Sequence, residues 1–132
     1  MDTGAMRSPP LRQTWCLVAA MLLSAYGGFR AQADPVTDGK TAFAACAACH
    51  NVEGADVLGP HLNGVIGRKA GSVPGFNYSP AMKKADIVWD AQTLEQFLAN
   101  PQQAVPGNRM PFSGVPDATT RADIAAYLAS LR

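Results

Sequence analysis

Cys46-Ala47-Ala48-Cys49-His50 sets two thiols three residues apart and an imidazole directly after the second. On a helix these residues stand at i, i+3 and i+4, so two sulfurs and one nitrogen leave the same face. Cys-x-x-Cys-His is the spacing of a covalent c-type haem attachment. The sulfurs of Cys46 and Cys49 would bond the two vinyl groups, and the imidazole of His50 would reach the iron as an axial ligand. Two other chemistries use paired thiols at this distance. A structural zinc site needs about four protein ligands, and downstream of His50 only His61 could add an imidazole. A thioredoxin-like disulfide wants a βαβ context, whereas the approach Thr41-Ala42-Phe43-Ala44-Ala45 is Ala-rich and helical in character. Zinc and thiol redox chemistry stay as alternatives, each short of a feature it needs.

The N-terminus of the 132-residue chain has the form of an address. Arg7 and Arg12 make a positive n-region, Trp15 to Leu23 is an unbroken apolar run, and Ala31-Gln32-Ala33 has the small-x-small form of a signal-peptidase site. Residues 1–33 therefore read as a cleaved secretory signal peptide and 34–132 as the mature domain, exported to the periplasm. An uncleaved anchor is the alternative, but the run is far short of the roughly 20 apolar residues of a spanning helix; no stable membrane insertion is expected. Cys16 falls inside the run and would be discarded with it.

Cleavage leaves Cys46 and Cys49 as the only cysteines. An oxidising compartment would close them into a disulfide unless haem captured them first. A domain of this size buries only roughly 60–70% of its unfolded surface, so a large apolar cofactor tied in covalently would complete the core. Arg7, Arg12 and Arg30 leave with the signal against Asp2 alone, which turns the formal charge of +1 into −1. That balance excludes a nucleic-acid binder, which needs a clustered basic excess.

Along the mature chain, a first helix is expected from Val36 or Thr37 into Cys46, with Gly39 and Phe43 on one face. From Asn51 to Asn77 glycines and prolines are too dense for regular structure and suit a long wrap around something rigid. Ser79-Pro80 opens a short helix through Lys84. Asp90 caps another from Ala91 to Ala99, ended by Asn100-Pro101. An extended stretch from Gln102 to Pro116 follows. The last helix opens at Thr119 or Thr120, with Ile124, Tyr127, Leu128 and Leu131 on its inner face. No strand alternation and no internal repeat interrupts this pattern. The fold class is all-α, a small single domain whose loops crowd one covalently bound haem.

An iron bound by His50 has a second axial position, and its occupant separates electron transfer from ligand binding. Met82 lies in a short helix beside Lys83 and Lys84 and reads as packing. Met110 lies between Pro106-Gly107-Asn108-Arg109 and Pro111-Phe112, a stiff loop that can aim a thioether. His61, the rival, is only eleven residues after His50 and would have to cross the macrocycle. Met110 is the favoured ligand.

From Asp38 to Leu131 the chain resembles a class I cytochrome c of the mitochondrial and bacterial photosynthetic type. The resemblance rests on Cys46-Ala47-Ala48-Cys49-His50, Gly59-Pro60, Gly67-Arg68, Pro74-Gly75-Phe76, Tyr78, Trp89, Asn100-Pro101, Pro106-Gly107, Met110 and Phe112, in that family's order. It implies a cytochrome c fold with N- and C-terminal helices crossing through Gly39, Phe43 and Tyr127. It further implies that the Pro60 carbonyl accepts from His50, that Arg68, Tyr78 and Trp89 serve the haem propionates, and that Phe112 shields the haem on the Met110 side.

The function so implied is a monomeric periplasmic one-electron carrier, not an enzyme. Its partners would be redox proteins in membrane complexes: a quinol-oxidising cytochrome complex as donor, a terminal oxidase or photosynthetic reaction centre as acceptor. The alternatives are a dedicated electron acceptor of a periplasmic dehydrogenase, or a peroxide- or gas-binding haem protein with a displaceable Met110. Two departures from the family pattern bear on function. Phe97 stands where the family commonly has a tyrosine near the methionine sulfur. The ring of lysines around the haem edge is replaced by Ala45, Gln102, Gln103 and Pro116-Asp117-Ala118, with Lys40, Lys69 and Arg109 as scattered charges.

Overall fold

A computed structural model describes Met1 and residues 34–132; the expected signal peptide otherwise lies outside the described residues. The described chain is helical: α1 Pro35–Ala42, running into a 3-10 turn at Phe43–Ala45, then α2 Pro80–Lys84, α3 Ala91–Ala99, α4 Pro101–Ala104 and α5 Ala118–Ser130. Among the described residues β structure is limited to one isolated antiparallel bridge, Lys69 with Val88.

Each helix begins where a short polar side chain can take an orphan amide. Asp34 caps α1 by accepting from the Val36 N–H at 3.2 Å and the Thr37 hydroxyl at 2.6 Å, with Pro35 in the first turn. The helix therefore starts one to two residues earlier than expected. Ser79 and Pro80 open α2 as the sequence indicates, the hydroxyl accepting from Met82 N at 3.1 Å. Asp90 and Thr93 form a reciprocal capping box on α3, at 2.7 and 2.8 Å. Asp117, rather than either threonine, caps α5 by accepting from Thr120 N at 2.7 Å.

One expectation is corrected. Gln102 to Pro116 is not extended throughout, because Asn100 ends α3 and also caps a new turn. Its side chain accepts from Gln103 N at 3.0 Å, and Pro101, lacking an N–H, sits at the first helical position of α4. A proline that stops one helix thus starts the next.

The core forms where α1, α3 and α5 meet. Phe43, Leu94, Phe97, Leu98, Ile124, Ala125, Tyr127 and Leu128 are buried together with Val65, Ala70 and Trp89 from the long loop. Gly39 is the contact point of α1 with α5. A Cβ there would collide with the carbonyl of Asp123 and lie 2.9 Å from Tyr127 Cβ. One turn further on, the Phe43 and Tyr127 rings pack at 5.4 Å and 56°, so a small and a large residue share the crossing as the sequence indicates.

Candidate functional site

Cys46 and Cys49 lie on a single turn that continues α1. The N–H groups of Cys49 and His50 both donate to the Cys46 carbonyl, at 3.0 and 2.9 Å, which fixes the three side chains in helical spacing. Both cysteines are free and half-buried. Burial, and then the neighbouring Cys49, pushes the Cys46 thiol up from its ordinary value. Among the described residues no three His, Cys, Asp or Glu side chains form a metal-holding group. The zinc alternative therefore lacks a ligand set, and the thiol redox alternative lacks the βαβ frame.

His50 is oriented from behind. Its Nδ1 lies 2.8 Å from the Pro60 carbonyl, and a carbonyl only accepts, so Nδ1 carries a proton and Nε2 is the ring nitrogen left for a metal. Gly59 makes room for this. A Cβ at Gly59 would sit 2.5 Å from Cε1 and 2.7 Å from Nδ1 of the ring, and the Gly59 N–H donates to the Cys49 carbonyl at 2.7 Å. A backbone carbonyl bonded to one ring nitrogen is the usual outer partner of a histidine that ligates a metal through the other. Two thiols and this nitrogen on one turn fit a covalently attached haem.

The residues assigned to propionates come together in part. The bridge between residues 69 and 88 joins the Arg68 and Trp89 segments, with Trp89 N donating to Arg68 O at 2.9 Å and Gly67 N to Trp89 O at 2.7 Å. Trp89 is buried and stacks its edge on Phe97 at 5.2 Å. Arg68 donates to the carbonyls of His61, at 2.8 Å, and Asn63. Of the guanidinium's five N–H donors, the others stay available to an anion. Burial pushes the half-buried Tyr78 phenol up, and the Val73 backbone and the Arg68 charge pull it partly back.

His61 is engaged by Asp56. Its ring Nδ1 and its backbone N–H meet the same carboxylate oxygen, at 2.7 and 2.8 Å, and these bonds hold Asp56 below the usual carboxylate range. Met82 and Met110 both pack, half-buried, against the core cluster. They differ in setting. Met82 belongs to α2, whereas Met110 stands in a loop whose Phe112 N–H donates to the Met110 carbonyl at 2.9 Å. Arg109 ties that loop to the Tyr78 segment by donating to Asn77 O at 3.2 Å, and Phe112 is half-buried beside it.

The sequence marks Asn108 only as part of the loop before Met110 and Gln102 only as a replaced surface lysine, yet both bond the Met110 segment. The available signal was an asparagine after Pro-Gly, a residue that bonds its own loop.

Comparison with known proteins agrees with this geometry. The cytochrome c family model matches residues 36–132. Cytochrome c2 of Rhodomicrobium vannielii is 43% identical over 116 residues, covering 86% of this chain and 91% of that protein. The cytochrome c-type cyt cy of Rhodobacter capsulatus is 48% identical over 86 residues, 65% of this chain; the match spans only 43% of that longer relative. The structure of cytochrome cH from Methylobacterium extorquens superposes with a TM-score of 0.69 at 45% identity, covering 72% of this chain and 97% of that one.

Proposed function

The chain belongs to the cytochrome c family, and from that premise we propose a soluble periplasmic one-electron carrier whose iron is held by His50 and Met110. Its relatives make the protein an electron carrier with covalently bound haem c, not an enzyme. When bound, the haem supplies an iron that cycles between ferrous and ferric. The polypeptide supplies attachment through Cys46 and Cys49, orientation, and exclusion of water.

The observation that carries the ligand assignment is the His50 to Pro60 hydrogen bond of 2.8 Å. It fixes the tautomer, aims Nε2, and strengthens the imidazole as a donor. The proposed second ligand, Met110, lies in a loop tied down by hydrogen bonds at its own N–H and carbonyl. His50 and Met110 would hold the iron in both oxidation states, and methionine ligation beside histidine would favour the reduced form. Trp89 and Phe112 would keep water from the macrocycle, and Arg68, Tyr78 and Trp89 would compensate the propionates, whose burial without donors is costly.

Absorption spectroscopy of the purified holoprotein tests the assignment. The ferric form should show the charge-transfer band of methionine-ligated haem, and the ferrous form should not bind carbon monoxide. Ready binding would instead support the peroxide- or gas-binding alternative.

The proposed donor is a quinol-oxidising cytochrome complex and the acceptor a terminal oxidase or photosynthetic reaction centre. A second reading, an electron acceptor dedicated to one periplasmic dehydrogenase, is favoured by the exposed and mostly uncharged run of Ala45, Gln102, Gln103, Pro116, Asp117 and Ala118. Reconstitution with each class of partner separates the two. No helix among the described residues is long and apolar enough to cross a membrane. N-terminal sequencing of the exported protein tests the proposed cleavage after Ala33.

A further inference from the structure

Asn108 is one of two buried polar side chains among the described residues. Its amide makes all the hydrogen bonds it can. Nδ2 donates to the carbonyls of Pro101, at 2.7 Å, and Val105, at 2.9 Å. Oδ1 accepts from the N–H of Met110 at 2.9 Å and from Nε2 of Gln102 at 3.3 Å. With two donors and two lone pairs engaged, burial costs little. Rotation is forbidden as well, since a flipped amide would set its NH2 against the Met110 N–H and its oxygen against two carbonyls.

Gln102 completes the arrangement from α4. The same Nε2 lies 3.2 Å from the Met110 carbonyl and 3.3 Å from the Asn108 carbonyl. Both main-chain polar groups of Met110 are therefore held, the N–H by Asn108 and the C=O by the Phe112 N–H and by Gln102, whose two Nε2 hydrogens are shared among three acceptors. The turn that delivers Asn108 depends on Gly107, whose φ of 86° a side chain would strain; the Asn108 N–H then closes onto Val105 O at 3.0 Å.

We propose that Asn108, seconded by Gln102, is the positioning residue of Met110. It splints the ligand's main chain to α4, so that the thioether is presented to the iron instead of swinging with the loop. This rests on the assignment of Met110 as the axial ligand. An unsplinted loop would open more often, and an external ligand would compete more successfully for the ferric iron.

The test uses the holoprotein and four variants: Asn108→Leu, of similar volume; Asn108→Asp, which keeps the acceptor for the Met110 N–H but loses both donors; Gln102→Ala; and Met110→Ala as the reference for a lost ligand. Two quantities are read, imidazole affinity of the ferric form and hydrogen exchange of the Met110 amide in the ferrous form. Asn108→Leu should bind imidazole about tenfold more tightly and exchange its Met110 amide about tenfold faster, the scale of one or two net hydrogen bonds. Asn108→Asp and Gln102→Ala should move the same way by less, so a failure of Asn108→Leu to fold still leaves the proposal open to refutation. Unchanged exchange and unchanged imidazole affinity in the variants that fold would overturn it. If Met110→Ala binds imidazole no more tightly than the parent protein, the axial assignment itself falls and the proposal with it. If Met110→Ala binds more tightly while the Asn108 and Gln102 variants do not, the ligand stands and the splint falls.

Discussion

Gly39 of α1 rests directly on the backbone of Asp123 in α5, with no room for a methyl group between them. The crossing is set by this contact and by the Phe43–Tyr127 ring pair next to it. Replacing Gly39 by alanine would gain about 1 kcal/mol of helix propensity, but the new Cβ must push the helices apart. Because backbone, not a flexible side chain, opposes it, the steric loss should dominate. We expect Gly39→Ala to be net destabilising by about 1–3 kcal/mol, within the range for overpacked cores. Guanidinium unfolding of the holoprotein, comparing midpoints at constant m-value, measures it; an unchanged midpoint would mean that the crossing can relax at little cost.

Phe97 tests the electronic side of the proposed ligand pair. It is buried and stacked edge-on against Trp89. The family resemblance puts a tyrosine oxygen near the methionine sulfur at this position. A phenol there would draw on the sulfur lone pair, weaken its donation to ferric iron and raise the midpoint potential. Redox titration of Phe97→Tyr should therefore give a higher midpoint than the parent protein, and an unchanged value would remove hydrogen bonding to sulfur from the account.

The elements that a single local signal specifies were legible in the sequence. Ser79-Pro80 and Asp90 gave the starts of α2 and α3, while the crossing of α1 with α5 through Gly39, Phe43 and Tyr127 came from the family resemblance, the four-residue spacing alone indicating no more than core packing. The Cys46 to His50 spacing likewise identified the site. What was not legible depends on partners distant in sequence or on one residue with two roles. Asn100 both stops α3 and caps α4, so a proline-rich stretch concealed a helix. Gln102 looked like an absent surface lysine, and only the folded loop shows it bonding Met110, eight residues away. The Arg68 to Trp89 juxtaposition likewise depends on a bridge between segments about twenty residues apart, with no strand pattern to announce it.

Three aspartate caps make stability respond to acid. Hydrogen bonds from backbone and threonine groups hold Asp34, Asp90 and Asp117 below the ordinary value of 3.8. A carboxylate whose folded pKa is depressed contributes stability above its unfolded pKa and loses it as pH falls through the folded one. The holoprotein should thus lose stability as pH drops below about 4. Asparagine caps nearly as well without titrating in this range, so the combined Asp34→Asn, Asp90→Asn, Asp117→Asn variant should show a shallower fall. Denaturant midpoints taken between neutral and acid pH decide it; parallel curves for the two proteins would place the acid sensitivity elsewhere.

Docking with redox partners should depend little on salt. The positions where the family's lysines would lie carry Ala45, Gln102, Gln103 and Asp117, all exposed. Of the other cations, Arg109 is engaged with Asn77 O, Lys69 reaches Asp86 at 3.7 Å on the open surface, and Lys83 and Lys84 stand together, exposed, on α2. With uncharged or acidic residues at those positions the field that steers encounter is weakened there, and short-range complementarity must do more of the sorting. Association with a quinol-oxidising complex or an oxidase, followed by stopped flow, should then change by no more than about twofold as ionic strength rises from roughly 0.01 to 0.2 M, although the Debye length contracts severalfold over that range. A tenfold fall would reveal a charged docking face. A rate that is flat with one class of partner but steep with another would identify the steep pair as the one recognised by charge.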